Sequence, residues 1–370
     1  MAIRVCQFIT ELRPAGAERC VYELATRLPG ERFVVEVLAL RGGAVEQSLR
    51  QAGVPVHVLG VAGKLDVRKL PGLVRILRQG RFDILHTHLF HADLVGRPAG
   101  KLAKVPHLVH SVHVAEHRFR PWQFAWAGLT DWACDRTVCV SAGVRDHHSR
   151  RSGLSPGRYV VIHNGIDTVR YQPDPSRRQE LRRQWGVAGD EVLCVFVGRL
   201  DEQKGIPELL DSFAVAGRGN PRLKLVLAGQ GPLEELVRWR IEQAGLAGRA
   251  RLLGFTQDVP GVLSAGDIFL QPSRWEGFCL AAAEAMAAGL PVVGTDVAGL
   301  NEVVSAGQTG ILCPVGDVPA LSATILRLAD DKGFRAALGL AGMQRVKERF
   351  SVERFVARHA ELYEAVMAGR

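Results

Sequence analysis

Short apolar runs separated by amphipathic stretches fill this chain almost from end to end, and that alternation is what most limits its fold. In the first half the strand-like runs are IRVCQFI (3–9), FVVEVLAL (33–40), VHVL (56–59), DILH (83–86), HLVHS (107–111), RTVCV (136–140) and YVVIH (159–163). In the second half they are VLCVFVG (192–198), LKLVLAG (223–229), ARLLG (250–254), DIFLQP (267–272), PVVGT (291–295) and GILCP (310–314). Stretches between them, such as 16–28 and 67–79, carry apolar residues at helical spacing. From Pro207 to Ala216, Leu209, Leu210, Phe213 and Ala214 share one face behind a first-turn proline. Strands covered on both faces read as unbroken apolar runs, so β-α alternation of this kind predicts parallel sheets with helices on either side.

The alternation occurs twice, and 370 residues suffice for two cores. Between the halves, NGIDTVRYQPDPSRRQE (164–180) reads as an Asn-Gly turn, two prolines and a Ser176-x-x-Gln179 capping signal. We expect the junction within 166–188, with one domain over 1–168 and a second over 169–351. The expected fold is α/β: two doubly wound, Rossmann-like parallel-sheet domains facing each other across a cleft, with ligands at the carboxyl ends of the strands.

Composition removes several function classes. No run of 18 or more uncharged apolar residues exists, and the N-terminal MAIRVCQFIT turns polar too soon for a signal peptide. The seven cysteines (Cys6, Cys20, Cys134, Cys139, Cys194, Cys279 and Cys313) are odd in number and form no C-x-x-C pair, which predicts reduced thiols in a cytoplasmic protein and no zinc site. The net charge of +9 is uneven: through Arg170 there are 24 Lys/Arg against 14 Asp/Glu, and eleven of the twelve histidines. Either an anionic partner or surface, or arginine-rich solvated helix faces, accounts for that basic half. No aromatic platform or recognised binding motif accompanies it, so nucleic acid is not an expected partner.

The first strand is followed by TELRPAGAER, whose one glycine is Gly16. The G-x-G-x-x-G fingerprint of a nicotinamide enzyme and the Walker A lysine pattern are both missing, which points to a ligand held mainly by the second domain. There, RWEGFCLAAAEAMAAGLPVV places Glu276 and Glu284 eight positions apart in a stretch almost free of other charge. Glu276 is expected on the loop after DIFLQPS and Glu284 inside a helix from about Cys279 to Ala288, stopped by Gly289 and Pro291. The first amides of that helix form an anion site, and carboxylates beside it would accept hydrogen bonds from sugar hydroxyls. Arg199 and Lys204 in VGRLDEQKGI follow a strand in the same way and suit a diphosphate. Gly229 and Gly231 in AGQGPLEEL free the backbone before another helix. In HTHLFH (86–91) the histidine spacing invites a metal reading, but no carboxylate cluster follows, and cleft lining or satisfied polar positions is the preferred reading.

Taken in order, VGRLDEQKG, LAGQGP, the Glu276-x7-Glu284 motif, GLPVVGTDVAGLNEVV and GQTGILCPVGD resemble the nucleotide-binding domain of the retaining GT-B glycosyltransferases, specifically glycosyltransferase family 4. PAGAER, DILHTH, HSVH, CVSAGV and VIHNGID extend the resemblance, more loosely, through the first half. The resemblance implies a last helix, within 352–370, crossing back onto the first domain. It implies that Glu276 holds donor-sugar hydroxyls and Glu284 the nucleotide ribose, and that Arg199 and Lys204 neutralise the diphosphate leaving group. Gly16 would bring first-domain amides to the phosphates, and His113 would approach the sugar. Gly229, Gly277, Phe278, Cys279 and Leu280 complete the implied donor site. Family members often have glycine after EGF where this chain has Cys279, so the backbone geometry at that turn is a point for the structure to decide.

No Asp-x-Asp occurs in the chain, so no metal and no other cofactor is expected, and cations with helix amides must supply the electrostatic stabilisation. The implied reaction is transfer from a nucleotide sugar, a UDP-sugar on family frequency, with retention, to a glycan, lipid-linked or other hydroxyl acceptor in cell-envelope or exopolysaccharide biosynthesis. A nucleotide-sugar-binding or epimerase protein of the same fold is the alternative. Two stretches bear on the acceptor. KLDVRKLPGLVRILRQGRF (64–82) is basic and amphipathic, and HRFRPWQFAWAGLTDWACDR (117–136) holds Phe119, Trp122, Phe124, Trp126 and Trp132. They read either as helices packed on the sheet, with tryptophans in the core, or as a peripheral contact with the inner, anionic face of the plasma membrane.

Overall fold

The structure, a computed structural model, describes residues 2–63 and 67–369. Lys64 and Asp66 of the basic stretch therefore lie outside the described residues. The chain divides into two compact units, Met1–Gly165 with Val352–Arg370, and Ile166–Ser351.

All thirteen apolar runs form strands. In the first unit these are β1 (Ile3–Glu11), β2 (Phe33–Arg41), β3 (Val56–Val58), β4 (Ile84–His88), β5 (His107–Val112), β6 (Arg136–Cys139) and β7 (Tyr159–Val161), in the order β3-β2-β1-β4-β5-β6-β7. In the second they are β8 (Val192–Val197), β9 (Leu223–Ala228), β10 (Ala250–Gly254), β11 (Ile268–Gln271), β12 (Val292–Thr295) and β13 (Gly310–Cys313), in the order β10-β9-β8-β11-β12-β13. Every pairing is parallel; Val5, for instance, stands opposite both Val35 on β2 and Ile84 on β4. Strand order reverses direction between β1 and β4 in one unit and between β8 and β11 in the other. Helices leave opposite faces of the sheet at such a point, so the carboxyl ends of those four strands are left uncovered for a ligand.

Central strands are apolar on both faces because both faces are covered. Val5, Phe8 and Ile9 of β1 are fully buried, as are Cys194, Val195 and Phe196 of β8. The last helix, Val352–Met367, belongs to the first unit. Phe355, His359, Tyr363 and Val366 fall on one stripe and are buried, while Glu353, Arg354, Arg358 and Glu361 face outward. Tyr363 is fully buried with its ring edge-on to Phe33 at 6.0 Å, and each such aromatic stabilises the unit by about 2–3 kcal/mol through burial.

Two local expectations from the junction are corrected. Asn164-Gly165 is not a turn: a Cβ on Gly165 would stand 2.6 Å from the Cβ of Phe355 and 2.7 Å from the Cα of Val352, so the glycine is set by the close passage of the last helix. The cap of the helix Pro175–Trp185 is Asp174, whose carboxylate accepts from the amides of Ser176 and Arg177, and not Ser176. Proline at the first helical position moves the start one residue ahead of the serine.

Candidate active site

In the second unit the site is assembled where β8 and β11 end. Gly205 has φ of +63°, and a Cβ there would lie 1.9 Å from the carbonyl oxygen of Pro272. Only glycine lets the loop after β8 press so closely on the end of β11. That approach sets Lys204 opposite Glu276, with Nζ 2.7 Å from Oε1. Ser273 Oγ also donates to Oε1, at 2.7 Å, and Gln271 Nε2 does so at 3.2 Å. These three bonds all meet Oε1, and the Cys279 thiol is a further hydrogen-bonding neighbour of the carboxylate. The carboxylate is thus oriented by three bonds to Oε1, with side-chain exposures of 17% for Lys204 and 5% for Glu276. Burial would depress the Lys204 ammonium, but the Glu276 carboxylate, with smaller contributions from Cys279 and Asp201, offsets it and holds the group above its ordinary value.

Arg199 does not join this pair. Its guanidinium is 60% exposed and bridges to the buried carboxylate of Asp201. The same loop thus carries one solvated cation and one buried cation. Gly229 follows β9 with φ of +145°, against the carbonyl of Gly198, and Gly231 lies almost as close to that of Leu200. Glu284, half-buried in the helix Leu280–Ala287, accepts from Tyr171 Oη at 2.7 Å.

Cys279 answers the question raised by its replacement of glycine. It precedes that helix at φ +69°, ψ +70°, in the left-handed region, and is buried. The position keeps a glycine-type backbone with a thiol on it. Burial first, and the neighbouring Glu276 carboxylate second, push that thiol well up, so it is un-ionised. Gly277 and Phe278 are buried before it, with Phe278 edge-on to Phe350 at 5.3 Å, and Leu280 opens the helix. Ser273, Gln271, Asp201, Tyr171 and Gly205 are the participants that sequence reasoning missed. A polar Gln and Ser at the end of an apolar strand, beside Glu276, was the one available signal.

In the first unit, Gly16 opens the helix Gly16–Arg27 on an exposed turn after β1, and no side chain caps it. His113, just past β5, has Nε2 3.0 Å from His88 Nδ1. His113 lines a cavity of about 240 Å³ at the ends of β4, β5 and β6. Four buried polar atoms have no partner among the described residues and belong to residues that line this cavity: Thr10 Oγ1, His113 Nδ1, Trp126 Nε1 and His148 Nε2. Buried donors and acceptors are rarely left unmet, so the cavity fits a ligand that is itself polar. Also on its lining, Asp93 accepts from Arg97 at 2.8 Å and from Thr87 at 2.9 Å; burial would raise its carboxyl, but His110 and Arg97 hold it below the ordinary value. His86 and His88 are tied to Tyr363, Ser111 and Gln7, and among the described residues no three His, Cys, Asp or Glu side chains converge as metal ligands.

The aromatic stretch divides. Phe124 is core and Trp126 lines the cavity, but Trp122 is 50% exposed and Trp132 77% exposed, so two of the three tryptophans are not in the core. On the helix Leu70–Gly80, Leu73 and Leu77 are buried and Arg75 and Arg78 exposed. Arg78 donates to the carbonyl of Leu102, itself exposed, and the Lys101 ammonium lies 5.9 Å from the Trp132 ring. No helix among the described residues is long and apolar enough to cross a membrane.

This geometry can be set beside known proteins. The family described as Glycosyltransferase Family 4 matches residues 14–170, and Glycosyl transferases group 1 matches residues 177–345. The chain is a family 4 glycosyltransferase. The glycosyltransferase is 32% identical over 77% of its length to alpha-maltose-1-phosphate synthase of Mycolicibacterium smegmatis, covering 79% of that protein. It is 27% identical to the UDP-Gal:alpha-D-GlcNAc-diphosphoundecaprenol alpha-1,3-galactosyltransferase of Escherichia coli, over 86% of each chain. Among solved structures, Anabaena HepE in complex with UDP and glucose superposes with a TM-score of 0.89 at 24% identity, over 98% of this chain and all of that one. The fold is that of the GT-B glycosyltransferases.

Proposed function

We propose that this glycosyltransferase moves a sugar from a UDP-sugar to a hydroxyl acceptor, with retention of anomeric configuration and without a metal ion. One observation carries the donor assignment: a carboxylate at the switch point of the second sheet, held at Oε1 by Lys204, Ser273 and Gln271. A sugar hydroxyl is the ligand group that such an oriented acceptor suits. The E. coli relative is named for a UDP-galactose donor, and the Anabaena structure holds UDP and glucose, which favours uridine. In this reading Arg199, Lys204 and the first amides of the helix Leu280–Ala287 neutralise the departing diphosphate. Glu276 binds donor hydroxyls, Glu284 the ribose, and the diphosphate oxygen takes the acceptor proton as an oxocarbenium-like centre collapses.

The acceptor is a glycan or a lipid-linked sugar of envelope or exopolysaccharide assembly. The diphosphoundecaprenol of the E. coli relative's name and the Arg78, Lys101, Leu102 and Trp132 surface favour the lipid-linked form, reached by peripheral contact with an anionic membrane. The test is a thermal-shift screen with UDP, GDP, ADP and their sugars, with and without EDTA, on the wild type and Arg199→Ala. Stabilisation by uridine nucleotides alone, unaffected by EDTA and weakened in the variant, supports the reading. A shift abolished by EDTA refutes metal independence, and no shift with any nucleotide refutes the donor assignment. Nuclear magnetic resonance of the released sugar reads retention or inversion directly.

A further inference from the structure

Six side chains of the first unit, five buried and His113 half-buried, are hydrogen-bonded in series through Gln7 on β1. Gln7 Nε2 donates to Tyr363 Oη at 2.8 Å, and Tyr363 Oη lies 2.6 Å from His86 Nδ1. Gln7 Oε1 lies 2.7 Å from His88 Nε2, and His88 Nδ1 lies 3.0 Å from His113 Nε2. His86 Nε2 in turn lies 2.8 Å from Ser111 Oγ. Gln7, His86 and Tyr363 have no exposed surface, and His88 has 1%.

The three rings are neutral. Burial first, then the neighbouring rings, drive His86 and His88 well below the ordinary histidine value and His113 to about 3. A neutral imidazole carries one N–H and one lone pair. Gln7 is the one member of the series whose donor end and acceptor end differ in kind, so its amide sets the direction of the rest. With Oε1 towards His88, His88 Nε2 must donate and its Nδ1 is a lone pair. His113 Nε2 must then donate into that lone pair, which leaves His113 Nδ1 unprotonated. On the other branch, Tyr363 accepts from Gln7 and donates to His86 Nδ1, and His86 Nε2 donates to Ser111. With the Gln7 amide in this orientation, every contact is satisfied in a single direction. The exception is the far end: His113 Nδ1 is buried, has no partner among the described residues, and belongs to a ring that lines the cavity.

We propose that Gln7, His88 and Tyr363 are positioning residues that hold His113 as the tautomer protonated at Nε2 alone, so that Nδ1 offers a hydrogen-bond acceptor to a hydroxyl of the bound substrate. A fixed acceptor of this kind admits a ligand group that donates and rejects one that only accepts, such as an ether, a carbonyl or a fluorine at the same place. The tautomer half of the inference stands on the hydrogen bonds and the neutrality of the buried rings, and the substrate half rests on the proposed glycosyl transfer.

The experiment is nitrogen-15 spectroscopy of histidine-labelled protein near neutral pH, with His113 assigned from the signals lost in His113→Asn. The expected result is an unprotonated Nδ1 and a protonated Nε2. Gln7→Leu removes both ends of the relay, and Tyr363→Phe removes only a hydroxyl while keeping the buried ring. In both variants the two His113 nitrogen shifts should move towards each other as the tautomers mix. A protonated Nδ1 in the wild type, or unchanged shifts in both variants, overturns the relay. The second readout is release of nucleoside diphosphate from whichever nucleotide sugar of the screen the enzyme hydrolyses. Gln7→Leu should lower kcat about tenfold with KM within about twofold, the loss of one oriented hydrogen bond in the transition state. Altered shifts with unchanged kcat overturn the substrate half and leave the tautomer half in place.

Discussion

Removing the Lys204 ammonium while keeping its stem should strand Glu276 and destabilise the second unit. Both side chains are well buried, the atoms are 2.7 Å apart, and the carboxylate is 5% exposed. Two charges about 4 Å apart interact by roughly 4 kcal/mol at the effective dielectric of a protein near its surface. Breaking a buried pair from one side costs about 3–5 kcal/mol, because the remaining charge is left without its counter-ion. Ser273 and Gln271 stay bonded to Glu276 Oε1, so Lys204→Met should fall near the low end, about 3 kcal/mol. The Lys204 pKa is raised in the folded chain, so this contribution is fully present at neutral pH and is lost only as the pH rises through the alkaline range of that group.

Glu276→Gln removes the other charge, and the double variant Lys204→Met/Glu276→Gln removes both. Urea unfolding of the three variants, with hydrogen exchange to separate the two units, gives the coupling energy. The double variant should be more stable than Lys204→Met by at least about 1.5 kcal/mol, while all three lose sugar transfer. If Lys204→Met costs less than about 1 kcal/mol and the two changes add, the pair is no more than a solvated contact. The account of Glu276 as an oriented acceptor then fails with it.

Gly205→Ala would leave Lys204 and Glu276 in the chain but force the backbone off Pro272, so it should cost more than about 1 kcal/mol and reduce turnover as severely as Lys204→Met, measured by the same assays. At Cys279, glycine would relieve a left-handed backbone worth about 1–2 kcal/mol but lose a buried thiol and some chain stiffness. Cys279→Gly should therefore stay within about 1 kcal/mol of wild type, whereas β-branched Cys279→Val should lose more than about 2 kcal/mol by thermal or urea unfolding. Glu18, in the first helix, is raised by burial to about 7, with its own backbone amide partly opposing and Glu11 adding to the effect. The folded state then binds more protons at this site than the unfolded state between pH 4.5 and 7, so the stability of the wild type relative to Glu18→Gln should fall by up to about 3 kcal/mol from pH 5 to 8, against the opposite trend that the buried neutral histidines give both proteins.

Strand positions were legible because a parallel sheet buries both faces, and continuous apolar runs such as IRVCQFI and VLCVFVG have few other homes. The reach of Glu276 and Lys204 towards one another was not legible. Their spacing along the chain says nothing of it, and the contact depends on Gly205 admitting the Pro272 carbonyl, a backbone condition with no pattern of its own. Gly165 shows the converse error: Asn-Gly reads locally as a turn, but a helix almost two hundred residues later in the chain decides it. The histidines are the sharpest case. HTHLFH looked like a metal motif or a lined cleft because spacing reports only which residue types are near each other. What their nitrogens do is settled by Gln7 on β1 and Tyr363 on the last helix, one at each end of the sequence. Alternation constrains where an element runs, since burial acts on every residue of it. Polarity of a hydrogen-bond series hangs on single atoms contributed from distant strands and helices. A site built this way is read from the fold outward: Glu276, Lys204 and His113 are legible in the sequence, and the contacts that orient them are not.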